Sequence, residues 1–170
     1  MPRVWVSAGS NIDRERHIRG ALADLREAYG RLIVSPLYET EAVGFTGDAF
    51  LNLVVGFDTD ERPGQLHARL RDIEARHGRE RSGPKFSART LDLDLLTYGQ
   101  AVTEEGGKAL PRDEILRYAF VLGPLADVAG AELHPQLGES YASLWAGFPA
   151  AEKARMRRLA DPDWLYAGDA

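Results

Sequence analysis

Apolar and polar positions along the chain mark four strands and two long helices. Residues 4–7 are apolar and β-branched and read as a strand, which Ala8, Gly9, Ser10 and Asn11 then break. Ile18, Ala21, Leu22, Leu25 and Ala28 recur at steps of three and four, giving a helix with one apolar face, and Gly30 stops it. Residues 32–38 return to strand character, with Pro36 marking an edge or a bend. Residues 39–48 carry two glycines and no helical period, so they read as a loop. Over residues 50–57 the alternation sets Phe50, Asn52 and Val54 on one face and Leu51, Leu53 and Val55 on the other. Pro63 and Gly64 open a second helix, whose buried stripe is Leu66, Leu70 and Ile73 and whose stop is Gly78. Residues 80–88 are polar and turn-rich, and residues 90–98 form the fourth strand. The order β-α-β-β-α-β predicts an α+β fold of ferredoxin-like type, an antiparallel sheet with helices packed on it. Residues 119–129 and 140–148 read as short helices on the same core, and residues 152–158 as a charged helical tail. The expected organisation is one domain over residues 1–170, its helical tail beginning near 150.

Composition narrows the class. Of 170 residues, 44% are hydrophobic and 28% charged, as in an ordinary globular domain. No apolar run is long enough for a membrane span, the first residues lack the pattern of a signal peptide, and cysteine is absent. These features lead one to expect a cytoplasmic protein, a monomer, with no membrane partner. The net charge of -5 argues against a general nucleic-acid binder. A local basic stretch within it, containing Arg69, Arg71, Arg76, Arg79, Arg81, Lys85 and Arg89, suits a small anionic ligand better than a long polyanion.

The segment Arg89-Thr90-Leu91-Asp92-Leu93-Asp94-Leu95 carries the chemistry. On a strand its leucines enter the core, and Asp92 and Asp94 share the other face about 7 Å apart. Two carboxylates so close repel each other, and a hard divalent cation removes that cost. A pair of magnesium ions there would neutralise a triphosphate. The plainer alternative is a strand with one wet face. Arg79, Arg81 and Arg89 carry fork-shaped donors for phosphate, or serve solubility. Strict alternation puts Arg89 on the leucine face, so either the strand begins after it or a bulge re-aims it. No phosphate-binding glycine-rich loop motif occurs in the chain. His17, His67, His77 and His134 lie on separate elements without metal-ligand spacing and read as structural or surface residues.

With these pieces assembled, the chain resembles the 6-hydroxymethyl-7,8-dihydropterin pyrophosphokinases of folate biosynthesis. The resemblance runs in order through AGSN at 8–11, SPLYET at 35–40, FLN at 50–52, IEARHGRER at 73–81, RTLDLDLLTYG at 89–99, LP at 110–111, AFVLGPLADVA at 119–129 and HPQLG at 134–138. It implies a reaction in which a pterin hydroxyl attacks the β-phosphorus of ATP and AMP leaves. It implies that Asp92 and Asp94 hold two magnesium ions, with Arg79 and Arg89 on phosphates as further catalytic groups. The pterin positions would be Thr40, Val43, Phe50, Asn52 and Phe120. The ATP positions would be Glu74, Arg79, Arg81, Arg89, Arg112 and Arg117, and residues 79–88 would be the loop closing over ATP.

The chain departs from that pattern at the nucleotide side. Arg112 stands where the family has a histidine, and Tyr118 where it has an arginine, with Arg117 one place earlier. A one-residue shift on a helix turns a side chain by about 100°. Phe86 replaces a frequent tryptophan, and Ser87-Ala88 a Gly-Pro pair. Two other readings stay open at this stage. One is a diverged paralogue that binds a pterin with little or no turnover. The other is a nucleic-acid-binding ferredoxin-like domain, which the acidic balance and the two aspartates disfavour.

Overall fold

A computed structural model of the chain describes residues 1–41, 47–78 and 90–166. Strand β1 (Arg3–Ser10) leads into helix α1 (Arg14–Tyr29). Two short strands follow, β2 (Ile33–Val34) and β3 (Tyr38–Thr40), and then the long β4 (Phe50–Asp58). Helix α2 (Pro63–Arg76) returns to β5 (Asp92–Tyr98). The rest comprises α3 (Glu114–Arg117), α4 (Ala119–Ala129), α5 (Tyr141–Ala146), α6 (Ala150–Lys153) and β6 (Met156–Arg158). The strands form one antiparallel sheet in the order β5-β1-β4-β3-β6, with β2 also paired to β4. The α+β expectation holds.

Three details differ from the reading of the sequence. The Ala8–Asn11 stretch does not break β1, because Ala8, Gly9 and Ser10 pair with Leu53, Asn52 and Leu51 of β4. The expected strand at 32–38 is two strands, divided where Ser35 and Pro36 interrupt the ladder. There Ser35 Oγ accepts from Val54 N at 2.9 Å in place of a backbone partner. The charged tail is not a helix over 152–158. It makes one turn, α6, and then β6, whose Met156 and Arg158 pair with Thr40 and Tyr38. A β-strand at a sheet edge satisfies its backbone through a distant partner, and local charge pattern carries no trace of that.

Helices α1 and α2 cover one face of the sheet. Ile18, Leu22 and Leu25 of α1 and Leu66, Leu70 and Ile73 of α2 meet Val4, Val6, Leu53, Val55, Leu93 and Leu95 in a single buried cluster. Each such side chain contributes about 1.5–3 kcal/mol through its removal from water. The opposite face carries a smaller cluster. Trp5, Val54 and Leu96 lie beneath Val121, Leu122 and Leu125 of α4, with Ile115 and Tyr141 beside them. Gly56 makes room for Trp5, since a Cβ there would stand 2.4 Å from the indole ring. This second layer covers only part of its face, and the polar residues of the sheet lie beyond it.

Candidate active site

Strand register decides which side chains share this second face, because residues directly paired across antiparallel strands point the same way. Gly9 of β1 pairs with Asn52 of β4 on one side and with Asp92 of β5 on the other. One step along, Ser7 pairs with Val54 and with Asp94. Thr40 pairs with Phe50, and Tyr38 with Asn52. Val54 belongs to the cluster under α4, so the whole row faces the α4 side. The structure thus brings Asp92, Asp94, Asn52, Phe50 and Thr40 together on one sheet face, across four adjacent strands.

Each side chain has a fixed setting. Asn52 is buried, and its Nδ2 donates to Thr40 Oγ1 at 2.7 Å. A Cβ on Gly9 would lie 2.9 Å from Asn52 Oδ1, so glycine lets the amide lie flat over β1. Tyr38 ties β3 to α4 through a hydrogen bond from its hydroxyl to Asp127. Arg14 supports the approach to Phe50 by donating to the carbonyl of Ala49 at 3.1 Å. Asn11 Nδ2 likewise donates to the carbonyl of Asp48 at 3.1 Å. The structure adds Gly9, Asn11 and Arg14 to the residues expected at this end. The AGSN string was the available signal, but its role depends on β4 lying alongside.

Asp92 and Asp94 are half-buried, with Leu91, Leu93 and Leu95 behind them in the core. Burial, followed by the charge of Asp92, pushes the Asp94 carboxyl up to about 6, and Arg112 and Lys108 act in the opposite direction. A carboxylate pair held at such cost fits a divalent cation, which favours the ionised form of both. Among the described residues no group of three or more His, Asp or Glu side chains could hold a metal ion, so a cation here would find two carboxylate ligands at most in this pair.

Glu74 is only 1% exposed. Its Oε2 accepts from the backbone N of Leu93 at 2.8 Å. β5 is the outer strand of the sheet, and this carboxylate occupies its open side between the two aspartates. On α2 it follows Leu66 and Leu70 at four-residue steps, so the helix itself places this acid on its buried face.

Beyond β5, Arg112 is anchored by its backbone N to the carbonyl of Leu96 at 2.9 Å and forms an ion pair with Glu114. Arg112, Lys108, Thr103 and Gln136, together with the acids Glu104 and Asp113, line an open cleft of about 760 Å³. That is large enough for a nucleotide-sized ligand. The Arg117 guanidinium pairs with Asp113, itself a lining residue of that cleft, at 2.8 Å and donates to the Tyr118 hydroxyl at 3.1 Å. Phe120 opens α4 and packs beside the cluster containing Val54. Val43, Arg79, Arg81 and Arg89, all expected at the site, lie outside the described residues, as does the expected closing loop. Of the histidines, His17, His67 and His134 are buried, and His17 meets His77 with their Nδ1 atoms 2.9 Å apart.

No helix among the described residues is long and apolar enough to cross a membrane. Comparison with known proteins gives the lineage. Residues 5–130 match the family described as 7,8-dihydro-6-hydroxymethylpterin-pyrophosphokinase (HPPK). The chain is 35% identical over 129 residues to the 2-amino-4-hydroxy-6-hydroxymethyldihydropteridine pyrophosphokinase of Bacillus subtilis, covering 74% of this chain and 77% of that protein. It is 37% identical over 131 residues to the protein of the same name from Pseudomonas aeruginosa, covering 75% and 80%. It is 36% identical over 133 residues to the folate synthesis bifunctional protein of Arabidopsis thaliana, covering 76% of this chain but 27% of that longer protein. The crystal structure of wild-type Plasmodium falciparum HPPK-DHPS superposes with a TM-score of 0.71 at 12% identity, over 92% of this chain and 48% of that one, which supports the fold. The chain spans about half of that solved structure and about a quarter of the Arabidopsis protein. By its match over residues 5–130 and its close pyrophosphokinase relatives, the chain belongs to the 7,8-dihydro-6-hydroxymethylpterin-pyrophosphokinase family.

Proposed function

We propose that this chain carries out its family's reaction on the uncovered end of the α4 face, with Asp92 and Asp94 as magnesium ligands. Family membership makes it an ATP-dependent pyrophosphokinase of folate biosynthesis, with ATP and a hydroxymethyl dihydropterin as substrates. The observation that carries the placement is the row Asp92, Gly9, Asn52. It sets a carboxylate pair and a hydrogen-bonding amide two strand spacings apart, about 10 Å, on one continuous surface. A flat acceptor bonded at Asn52 and a triphosphate at the aspartates would meet over Gly9.

In this reading the pterin lies against Phe50 and Phe120, and Asn52, steadied by Thr40, bonds its polar edge. The pterin hydroxyl oxygen bonds to the β-phosphorus of ATP and gives up its proton. The bond from that phosphorus to the oxygen shared with the α-phosphate breaks, and AMP leaves. Asp92 and Asp94 would hold magnesium, which would supply neutralisation of the phosphate charge. The protein's own part is to position and to exclude water, since this chemistry asks for little covalent work. Glu74 holds the β5 backbone between the aspartates. Arg112 supplies positive charge at the cleft where the nucleotide would extend, while Arg79, Arg81 and Arg89 are proposed phosphate contacts from sequence. We place the enzyme in the cytoplasm, as a monomeric single domain.

The test is AMP release from ATP with hydroxymethyl dihydropterin, with and without magnesium. Formation of AMP that requires both the pterin and the metal supports the reading. Tight pterin binding without AMP would favour a binding protein that has lost turnover.

A further inference from the structure

Tyr118 occupies the junction of α3 and α4, where the family resemblance leads one to expect an arginine. Its backbone is held from both sides. Its N donates to the carbonyl of Glu114 at 3.0 Å, and its own carbonyl accepts from the N of Val121 and of Leu122, each at 3.1 Å. The residue is extended, with φ −122 and ψ 124, and caps the N-terminus of α4. Two residues later stands Phe120. The Tyr118 and Phe120 rings are stacked, with centroids 5.1 Å apart and planes at 19°. The Arg117 guanidinium carbon lies 5.2 Å from the Tyr118 ring centre, and its Nη2 reaches the Tyr118 hydroxyl. Asp113 fixes the other arm of that guanidinium. The result is a layered assembly, Asp113 to Arg117 to Tyr118 to Phe120, built on a backbone clamped at the start of a helix.

We propose that Tyr118 is a positioning residue of the acceptor site: it backs one face of the Phe120 ring and leaves the other face set for a flat heterocycle. The inference rests on the reading that Phe120 contacts the pterin. Phe120 is only half-buried, so its own surroundings do not lock it. A ring free to turn must be ordered when ligand arrives, and a ring already stacked needs no such ordering. The assembly gives the tyrosine at this position a structural role. Among the described residues tyrosine supplies the ring stacked on Phe120 and keeps a cation alongside through Arg117.

The effect should fall on acceptor binding alone. Tyr118→Leu keeps bulk and removes the flat ring, and should raise the dissociation constant and KM for hydroxymethyl dihydropterin about three- to tenfold. The KM for ATP and kcat at saturating pterin should not change. Tyr118→Phe, which retains the stack and loses only the hydroxyl, should restore acceptor affinity. Phe120→Ala should weaken acceptor binding by itself, and adding Tyr118→Leu to it should cost little more. Fluorescence titration of the full chain with the pterin, alongside steady-state kinetics and circular dichroism of each variant, reads all of these. If Tyr118→Leu folds and binds pterin as wild type while Phe120→Ala binds weakly, the Tyr118 inference is wrong and the acceptor site stands. A loss in Tyr118→Leu that Tyr118→Phe does not restore also overturns it, since the ring would then not be the cause. If Phe120→Ala binds pterin normally, the acceptor reading fails, and the inference with it.

Discussion

The two faces of the sheet differ in how completely they are covered. Under α1 and α2 the apolar side chains of β1, β4 and β5 are sealed from end to end. Under α4 the cover stops near Trp5, Val54 and Leu96, and the same three strands continue outward with Gly9, Asn52 and Asp92. One face therefore holds the fold, and the end of the other that α4 does not reach is where we propose the chemistry. The leucines of the RTLDLDL segment belong to the first and its aspartates to the second, so one strand serves both. The division predicts that substitutions on the two faces fail in different ways.

The largest effect should come from the carboxylates. Asp92→Ala or Asp94→Ala should lower magnesium-dependent turnover by roughly 10³-fold or more, with the fold retained, as circular dichroism and a pyrophosphoryl-transfer assay would show together. On the sealed face the outcome reverses. Leu70→Ala should cost about 2–5 kcal/mol of stability by denaturant titration and leave kcat of the folded fraction near wild type. A Leu70→Ala protein of full stability would mean that α2 is not held as described.

A pH effect sharpens the contrast. The Asp94 carboxyl is raised by burial and by Asp92, so folding favours its neutral form. Its contribution to stability is then complete below the ordinary carboxylate range and is lost as pH rises through about 6. Asp94→Asn should consequently stabilise the metal-free protein above pH 6 by about 1–3 kcal/mol, and by almost nothing near pH 3. Thermal melts across pH would show this, and magnesium should narrow the gap by stabilising only the wild type. A smaller effect belongs to Gly9. The Cβ of Gly9→Ala would press on Asn52, and the KM for pterin should rise roughly tenfold with the KM for ATP unmoved.

Much of the sealed face could be read from the chain alone, because its stripes at Ile18, Leu22, Leu25 and Leu66, Leu70, Ile73 follow a local period. The alternation over β4 and β5 likewise gave the correct faces to Asn52 and Asp92. What escaped was set by distant partners. Gly9 matters because β4 and β5 flank it, and β6 exists because β3 offers it an edge. Glu74 is expected only through the family resemblance, and its partner, the Leu93 N–H, lies on β5, far along the chain. Tyr118 reads in the sequence as a missing arginine, and its stack on Phe120 exists only in the fold. Local patterns reveal elements, and the site is assembled from contacts between them.

Calorimetric titration of a non-transferable ATP analogue, with and without magnesium, into the wild type and an Asp92→Ala, Asp94→Ala double variant tests the central claim most directly. The wild type should bind the analogue more tightly when magnesium is present, and the double variant should show no such gain. A double variant that kept the full magnesium-dependent gain would contradict the account.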